Sequence, residues 1–170
     1  MPAGLARNGY TMVELVLVIA IIGILAASSI PAWFDRGRTN LDITRRRLVG
    51  DLTYAREYAM LRHDHVSANF SVAGNSYTIY YTPTGAAITD PSDTRGNLSF
   101  TLNGSSYSGG VAITNANFGG TPGVRFNSWG TPCDSAGNVL TTMGLVILTG
   151  TGSSTYTDTV RVEPGTGYVR

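Results

Sequence analysis

Few residues in this sequence are of types that do chemistry. The two histidines sit together in His63-Asp64-His65, a grouping that invites a metal ion. No third ligand lies nearby, and a helix end with imidazoles near its C-terminal dipole is the better account. Asp90-Pro91-Ser92-Asp93 and the stretch from Asp134 to Asn138 offer loop oxygens without the regular ligand spacing of a calcium loop, so turn chemistry is expected there. Cys133 is the single cysteine, which excludes an intrachain disulfide and a multi-cysteine zinc cluster. Following Thr131-Pro132, it reads as a small residue or buried thiol in a turn, with an intersubunit disulfide as the alternative. All 12 basic residues are arginine, so a P-loop lysine, a Schiff-base lysine and a pyridoxal-phosphate site are excluded. No Gly-x-Ser-x-Gly elbow or base-flanked nucleophile occurs. The expectation is a structural protein, not an enzyme, with no cofactor and no metal.

One carboxylate is out of place. From Tyr10 to Phe34 only Glu14 is charged, and Leu15 to Phe34 is a run of 20 uncharged residues. Twenty helical residues span about 30 Å, the thickness of a bilayer's hydrocarbon core. A carboxylate within such a span costs about 2.5–3.5 kcal/mol on insertion scales, so it marks a partner. A cleaved secretory signal ending in Ala26-Ala27-Ser28-Ser29 and a plain single-span anchor are alternatives, and neither explains Glu14. Arginines near the span number one before it, Arg7, and five after it, Arg36, Arg38, Arg45, Arg46 and Arg47. That asymmetry alone would place the carboxyl side in the cytoplasm.

Gly9-Tyr10-Thr11-Met12-Val13-Glu14-Leu15, followed by the Ile/Val/Leu run and Pro31, resembles the class III signal of type IV pilins and pseudopilins. The resemblance implies cleavage between Gly9 and Tyr10 by a prepilin peptidase and N-methylation of Tyr10. Glu14 then stands where the family has its glutamate and would neutralise the terminal ammonium of a neighbouring subunit. Tyr10 departs from the commoner Phe but keeps an aromatic ring. The cleavage motif outweighs the arginine asymmetry and places the body in the periplasm.

Beyond Pro31 the spacing predicts a second helix from about Asp35 to His63. Leu41, Leu48, Leu52, Ala55 and Ala59 lie on one face, while Arg45, Arg46, Asp51, Arg56, Glu57 and Arg62 lie on others. With the apolar segment it would make one rod of roughly 80 Å at the α-helical rise, kinked or locally broken at Pro31. From Val66 onward the composition changes: 105 residues contain 16 Gly and 17 Thr but only nine charges. Short alternating runs at Val66–Val72, Tyr77–Tyr81, Leu98–Leu102, Val124–Phe126, Leu145–Leu148 and Val160–Val162, separated by turn signals, predict an antiparallel β body. The domains are therefore a leader at 1–9, a transmembrane and assembly helix at 10–34, an amphipathic helix at 35–65 and a β-rich body at 66–170.

Asp51-Leu52 with Ala55-Arg56-Glu57-Tyr58-Ala59 and Val66, then Val124-Arg125-Phe126-Asn127-Ser128-Trp129-Gly130, then Val160-Arg161-Val162 with Gly165-Thr166-Gly167-Tyr168-Val169-Arg170, are together similar to GspH/FimT-type pseudopilins. The resemblance implies an α+β fold, with a long N-terminal helix packed on a two-sheet antiparallel body, and a minor pilin or pseudopilin priming or joining a type IV pilus. A type II secretion pseudopilin is the alternative. Expected partners are the prepilin peptidase, other pilins of the fibre, the inner-membrane assembly platform, and lipid before assembly. The expected location is the inner membrane as a single-pass protein, then the fibre. Some members are linked to DNA through arginines in the closing hairpin. Here Arg161, Tyr168 and Arg170 are the candidate contacts, but Tyr168 replaces one arginine of the pattern. Residues 66–170 carry four Arg against five acids, which offers phosphate little.

Overall fold

The computed structural model describes residues 11–29, 36–91, 96–102, 108–152 and 154–170. Gly9, Tyr10 and Pro31, and with them the cleavage site and the predicted kink, lie outside the described residues. The chain divides into two compact units, Met1–Asp35 and Arg36–Arg170.

In the first unit, α1 runs Met12–Ser29. Thr11 starts it as an N-cap, its Oγ1 accepting the Glu14 main-chain N–H at 3.3 Å. Thr11-Met12-Val13-Glu14 thus has the spacing of a capping box, with an acid in the first turn, where the helix dipole favours one. At 18 residues α1 is about 27 Å long. Among the described residues, no helix is long and apolar enough to cross a membrane.

In the second unit, α2 runs Arg36–Arg62 and buries Leu41, Leu48, Leu52, Ala55 and Ala59, the predicted face, together with Gly37 and Thr44. The buried Thr44 hydroxyl is satisfied by the Asn40 carbonyl at 2.7 Å. A left-handed His63 (φ 51°) ends the helix. The His63 N–H returns to the Met60 carbonyl and the Asp64 N–H to the Ala59 carbonyl, the bonding of a Schellman motif.

Two antiparallel sheets follow. The first contains β1 (Val66–Ser71), β2 (Ser76–Tyr81), β3 (Ala86–Ala87), β4 (Ser99–Thr101), β6 (Gly123–Phe126) and β7 (Pro132–Cys133). Its order is β3-β2-β1-β6-β7, with β4 also on β2. The second, β5-β8-β9, contains β5 (Val111–Asn117), β8 (Gly144–Thr151) and β9 (Thr155–Val162). Asn75, at the β1–β2 turn with φ 46°, ties the two sheets together. Its buried amide donates to the Val111 carbonyl at 2.9 Å and accepts the Ile113 N–H at 2.7 Å.

Helix α2 lies against strands of both sheets. Leu48 and Leu52 join Val66, Ala68 and Ile79 from one sheet and Val146, Leu148 and Val160 from the other in a single apolar core. The approach at the start of α2 needs two glycines. A Cβ on Gly37 would sit 2.9 Å from the Thr151 carbonyl oxygen, and one on Gly150 would sit 2.8 Å from the Gly37 carbonyl oxygen.

Candidate assembly site

A subunit that assembles needs an apolar surface left uncovered by its own fold. In α1, every large apolar side chain from Met12 to Leu25 is exposed, from 47% for Val18 to 86% for Met12. Contiguous apolar surface of this kind is stable only under lipid or another protein. Glu14, the one acid in the helix, is exposed in its first turn.

The body is held to α2 by a polar clamp that the helical periodicity did not reveal. Asp51, placed by spacing on an outer face, is half-buried and accepts the Tyr77 hydroxyl at 2.5 Å. Arg47, one turn earlier, lies 3.5 Å from Asp51, donates to buried Asp90 at 3.1 Å and stacks 4.3 Å above the Phe100 ring. One guanidinium therefore joins the helix to the segment after β3, and one phenol joins it to β2. Asp90 was expected to shape a turn, but it faces this cluster. The signal was a carboxylate four residues after an arginine-rich stretch, and it becomes meaningful only once β2 is beside α2.

Burial pushes the Asp51 carboxyl above the ordinary 3.8, partly opposed by the Tyr77 hydroxyl and Arg47. Hydrogen bonds from Tyr81 and the His65 N–H hold Asp64 below that value, and bonds from Asn138 do the same for Asp134. The signs are opposite. The raised Asp51 works against folding at neutral pH and is relieved as pH falls through its folded value; Asp64 and Asp134 stabilise above the ordinary range and lose that contribution as pH falls through their lowered values. Carboxyl-carbon NMR titration is expected to find Asp51 titrating above 3.8 and Asp64 and Asp134 below it. A midpoint for Asp51 at or below that of Asp134 would contradict the clamp.

His63-Asp64-His65 serves as a helix stop, with Asp64 bound to the Tyr81 hydroxyl at 2.5 Å. Among the described residues, no cluster of three or more potential metal ligands occurs. Asp134 to Asn138 is a turn, with Asp134 accepting both the N–H and the side-chain amide of Asn138 at 2.9 Å. Cys133 lies in strand β7, paired with Arg125, and not in a turn. It is a free, buried thiol, which burial pushes up.

Arg161, Tyr168 and Arg170 do come together on the closing hairpin. Arg161 and Arg170 exchange main-chain bonds at 2.8 and 3.0 Å, and Val162 pairs with Val169. Tyr168 is 60% exposed. The Arg170 guanidinium, however, is neutralised by Glu163 at 2.8 Å.

The sequence model of one family, the Type II transport protein GspH, matches residues 44–166, and that of the prokaryotic N-terminal methylation motif matches residues 5–30. A fimbrial protein of Pseudomonas aeruginosa is 38% identical over 79 residues, covering 45% of this chain and 50% of the relative. The chain thus spans about half the length of the curated relatives it matches. Among solved structures, the minor pseudopilin EpsH from the Type 2 secretion system of Vibrio cholerae has a TM-score of 0.54 at 15% identity, over 77% of this chain and 94% of that one. The likeness is one of fold. The type IV minor pilin FimU of Pseudomonas aeruginosa gives a TM-score of 0.47 at 13% identity, over 78% and 88% of the two chains.

Proposed function

The chain belongs to the GspH family, and from that premise we propose that it is a minor pilin or pseudopilin, a structural subunit that primes or enters a type IV pilus. The carrying observation is an N-terminal methylation motif running into a helix whose large apolar side chains are all uncovered. In this reading a prepilin peptidase cuts between Gly9 and Tyr10, and Tyr10 is N-methylated. Before assembly the chain sits in the inner membrane as a single-pass protein, its apolar sequence continuing through Phe34, with the body in the periplasm. The assembly platform then moves it into the fibre. There, apolar helices exchange lipid contacts for packing against other pilins. Glu14 meets the methylated amine of an adjacent subunit, and Pro31, which has no N–H to donate, is the second residue assigned to assembly.

The type II secretion pseudopilin is the second reading, favoured by the fold likeness to a secretion pseudopilin. An in-frame deletion separates the two when surface pili and exoprotein release are measured together. Loss of pili with normal secretion supports the pilus role. Retained pili with trapped exoproteins transfers the same chemistry to the secretion machine. Normal pili and normal secretion would overturn both. DNA contact through Arg161, Tyr168 and Arg170 is the weaker reading, because Glu163 already neutralises Arg170.

A further inference from the structure

A sheet ends in rows of unpaired main-chain groups, and several edges of this body are guarded against pairing. β3 and β7 are two residues each, and Val139 bridges to Cys133 in β7. β5 shifts register between Ile113 and Asn115, and Asn75 occupies its main chain at Val111 and Ile113. The outer edge of β9 differs. That strand keeps one unbroken register against β8 over its 8 residues. Its odd-numbered residues turn their N–H and C=O away from β8. Arg161, and Glu163 just past the strand, use theirs on Arg170 and Tyr168 of the closing hairpin. By the same alternation Thr155 and Thr157 point their main-chain groups outward. Both are exposed and have no main-chain partner on that side among the described residues. Thr159 has its N–H on the Asp158 carboxylate at 2.7 Å. No proline, arginine or bulge blunts the stretch from Thr155 to Thr159.

Beside that edge lies an open cavity of about 780 Å³, lined by Arg38, Thr39 and Asp42 of α2 and by Tyr156 and Asp158 of β9. Its two acids are already paired, Asp42 with Arg46 at 3.0 Å and Asp158 with Arg45 at 3.1 Å. Arg38 is exposed and has no ion-pair partner among the described residues, so the charge left over is positive. We propose that the outer edge of β9 takes an extended, acidic peptide segment of a partner protein as an added antiparallel strand. Thr155 and Thr157 each exchange both main-chain bonds with it. The segment's residue opposite Tyr156 stands over the cavity, its stem against the half-buried ring and its carboxylate toward Arg38. The residue opposite Asp158 is uncharged, because like charges set directly opposite repel. On the other face Thr155, Thr157 and Thr159 present a row that suits further threonines. A second copy's β9 would bring only an Asp158 that its own Arg45 already holds, leaving Arg38 unanswered. The inference rests on the body alone and is independent of the fibre reading.

The test uses the full-length chain in detergent and a synthetic peptide, Ser-Thr-Val-Thr-Glu-Thr-Ser, which sets its Val opposite Asp158 and its Glu opposite Tyr156. Binding is expected to saturate and to slow amide hydrogen exchange selectively at Thr155 and Thr157. Thr157→Pro removes an outward N–H while leaving the bonds to β8, as an edge strand tolerates, and should lower affinity about tenfold. Changing the peptide's Glu to Arg should lower affinity about fivefold, and Arg38→Glu should reverse that preference. Arg38→Glu alters an exposed side chain, so it carries the test if Thr157→Pro fails to fold. Absence of binding, or undiminished binding to a folded Thr157→Pro chain, overturns the proposal. Indifference to both charge changes overturns it as well. Protection of Thr155 and Thr157 that rises with protein concentration alone, without peptide, gives the edge to a second copy and overturns the peptide assignment.

Discussion

A chain carrying Glu14→Ala is expected to be cleaved after Gly9 like the wild type and then to accumulate in the membrane, with its content in sheared fibres reduced about a hundredfold. The magnitude follows from the cost of the carboxylate. A charge within a membrane segment is unfavourable by about 2.5–3.5 kcal/mol on insertion scales, or roughly two decades in an equilibrium constant. In the proposed reading, pairing with the ammonium of a neighbouring amino terminus relieves that cost only on assembly, so the pair would bias the equilibrium toward the fibre. Alanine removes the bias without removing the helix. The Thr11 cap uses the Glu14 main-chain N–H, which the substitution leaves in place. In the same proposal peptidase recognition rests on Gly9 and its small size, so a mature mass beginning at methylated Tyr10 is expected, unchanged apart from the substitution. A bulky residue at Gly9 should give the opposite outcome, an unprocessed precursor. Quantifying mature chain in membrane and fibre fractions decides the matter. Wild-type incorporation of the Glu14→Ala chain would remove Glu14 from the mechanism.

Leu52→Ala is expected to destabilise the body by about 2–5 kcal/mol, as large-to-small changes at fully buried leucines do. Leu52 is 0% exposed and belongs to the core shared by α2 and both sheets. The side chain removed touches elements that cannot all move inward, since Gly37 and Gly150 already bring backbone against backbone at one end of the same seam. For a domain whose total stability is about 5–15 kcal/mol, the loss is a large share. Leu61→Ala on the same helix is the control. With its side chain 75% exposed, it should change stability by no more than about 0.5 kcal/mol. Denaturant unfolding of the detergent-held chain, followed by circular dichroism, compares the two. Equal effects would mean that α2 is not docked through the face described.

Much of the body was legible because helix and strand periods are local. The spacing of Leu41, Leu48, Leu52, Ala55 and Ala59 predicted the buried face of α2, and all five are buried. The runs at Val66, Tyr77, Leu98, Val124, Leu145 and Val160 each correspond to a strand. Strand β5 escaped notice because its register shifts between Ile113 and Asn115, which breaks the two-residue alternation on which such a reading depends. β3 and β7 are two residues each and exist only through their partners, so no local pattern could announce them. Cys133 was read as a turn residue for the same reason.

The apolar segment and the N-terminal methylation motif were determined by the sequence itself, because residue type and spacing over one short stretch of chain carry both, without a folded body. Which polar side chains hold the body together was decided only by tertiary structure. Asp51 meets Tyr77, Arg47 reaches Asp90, and Asn75 reaches β5 across sequence gaps that carry no periodic signature. Such contacts arise when the core brings distant segments together, and burial then requires each polar group to find a partner.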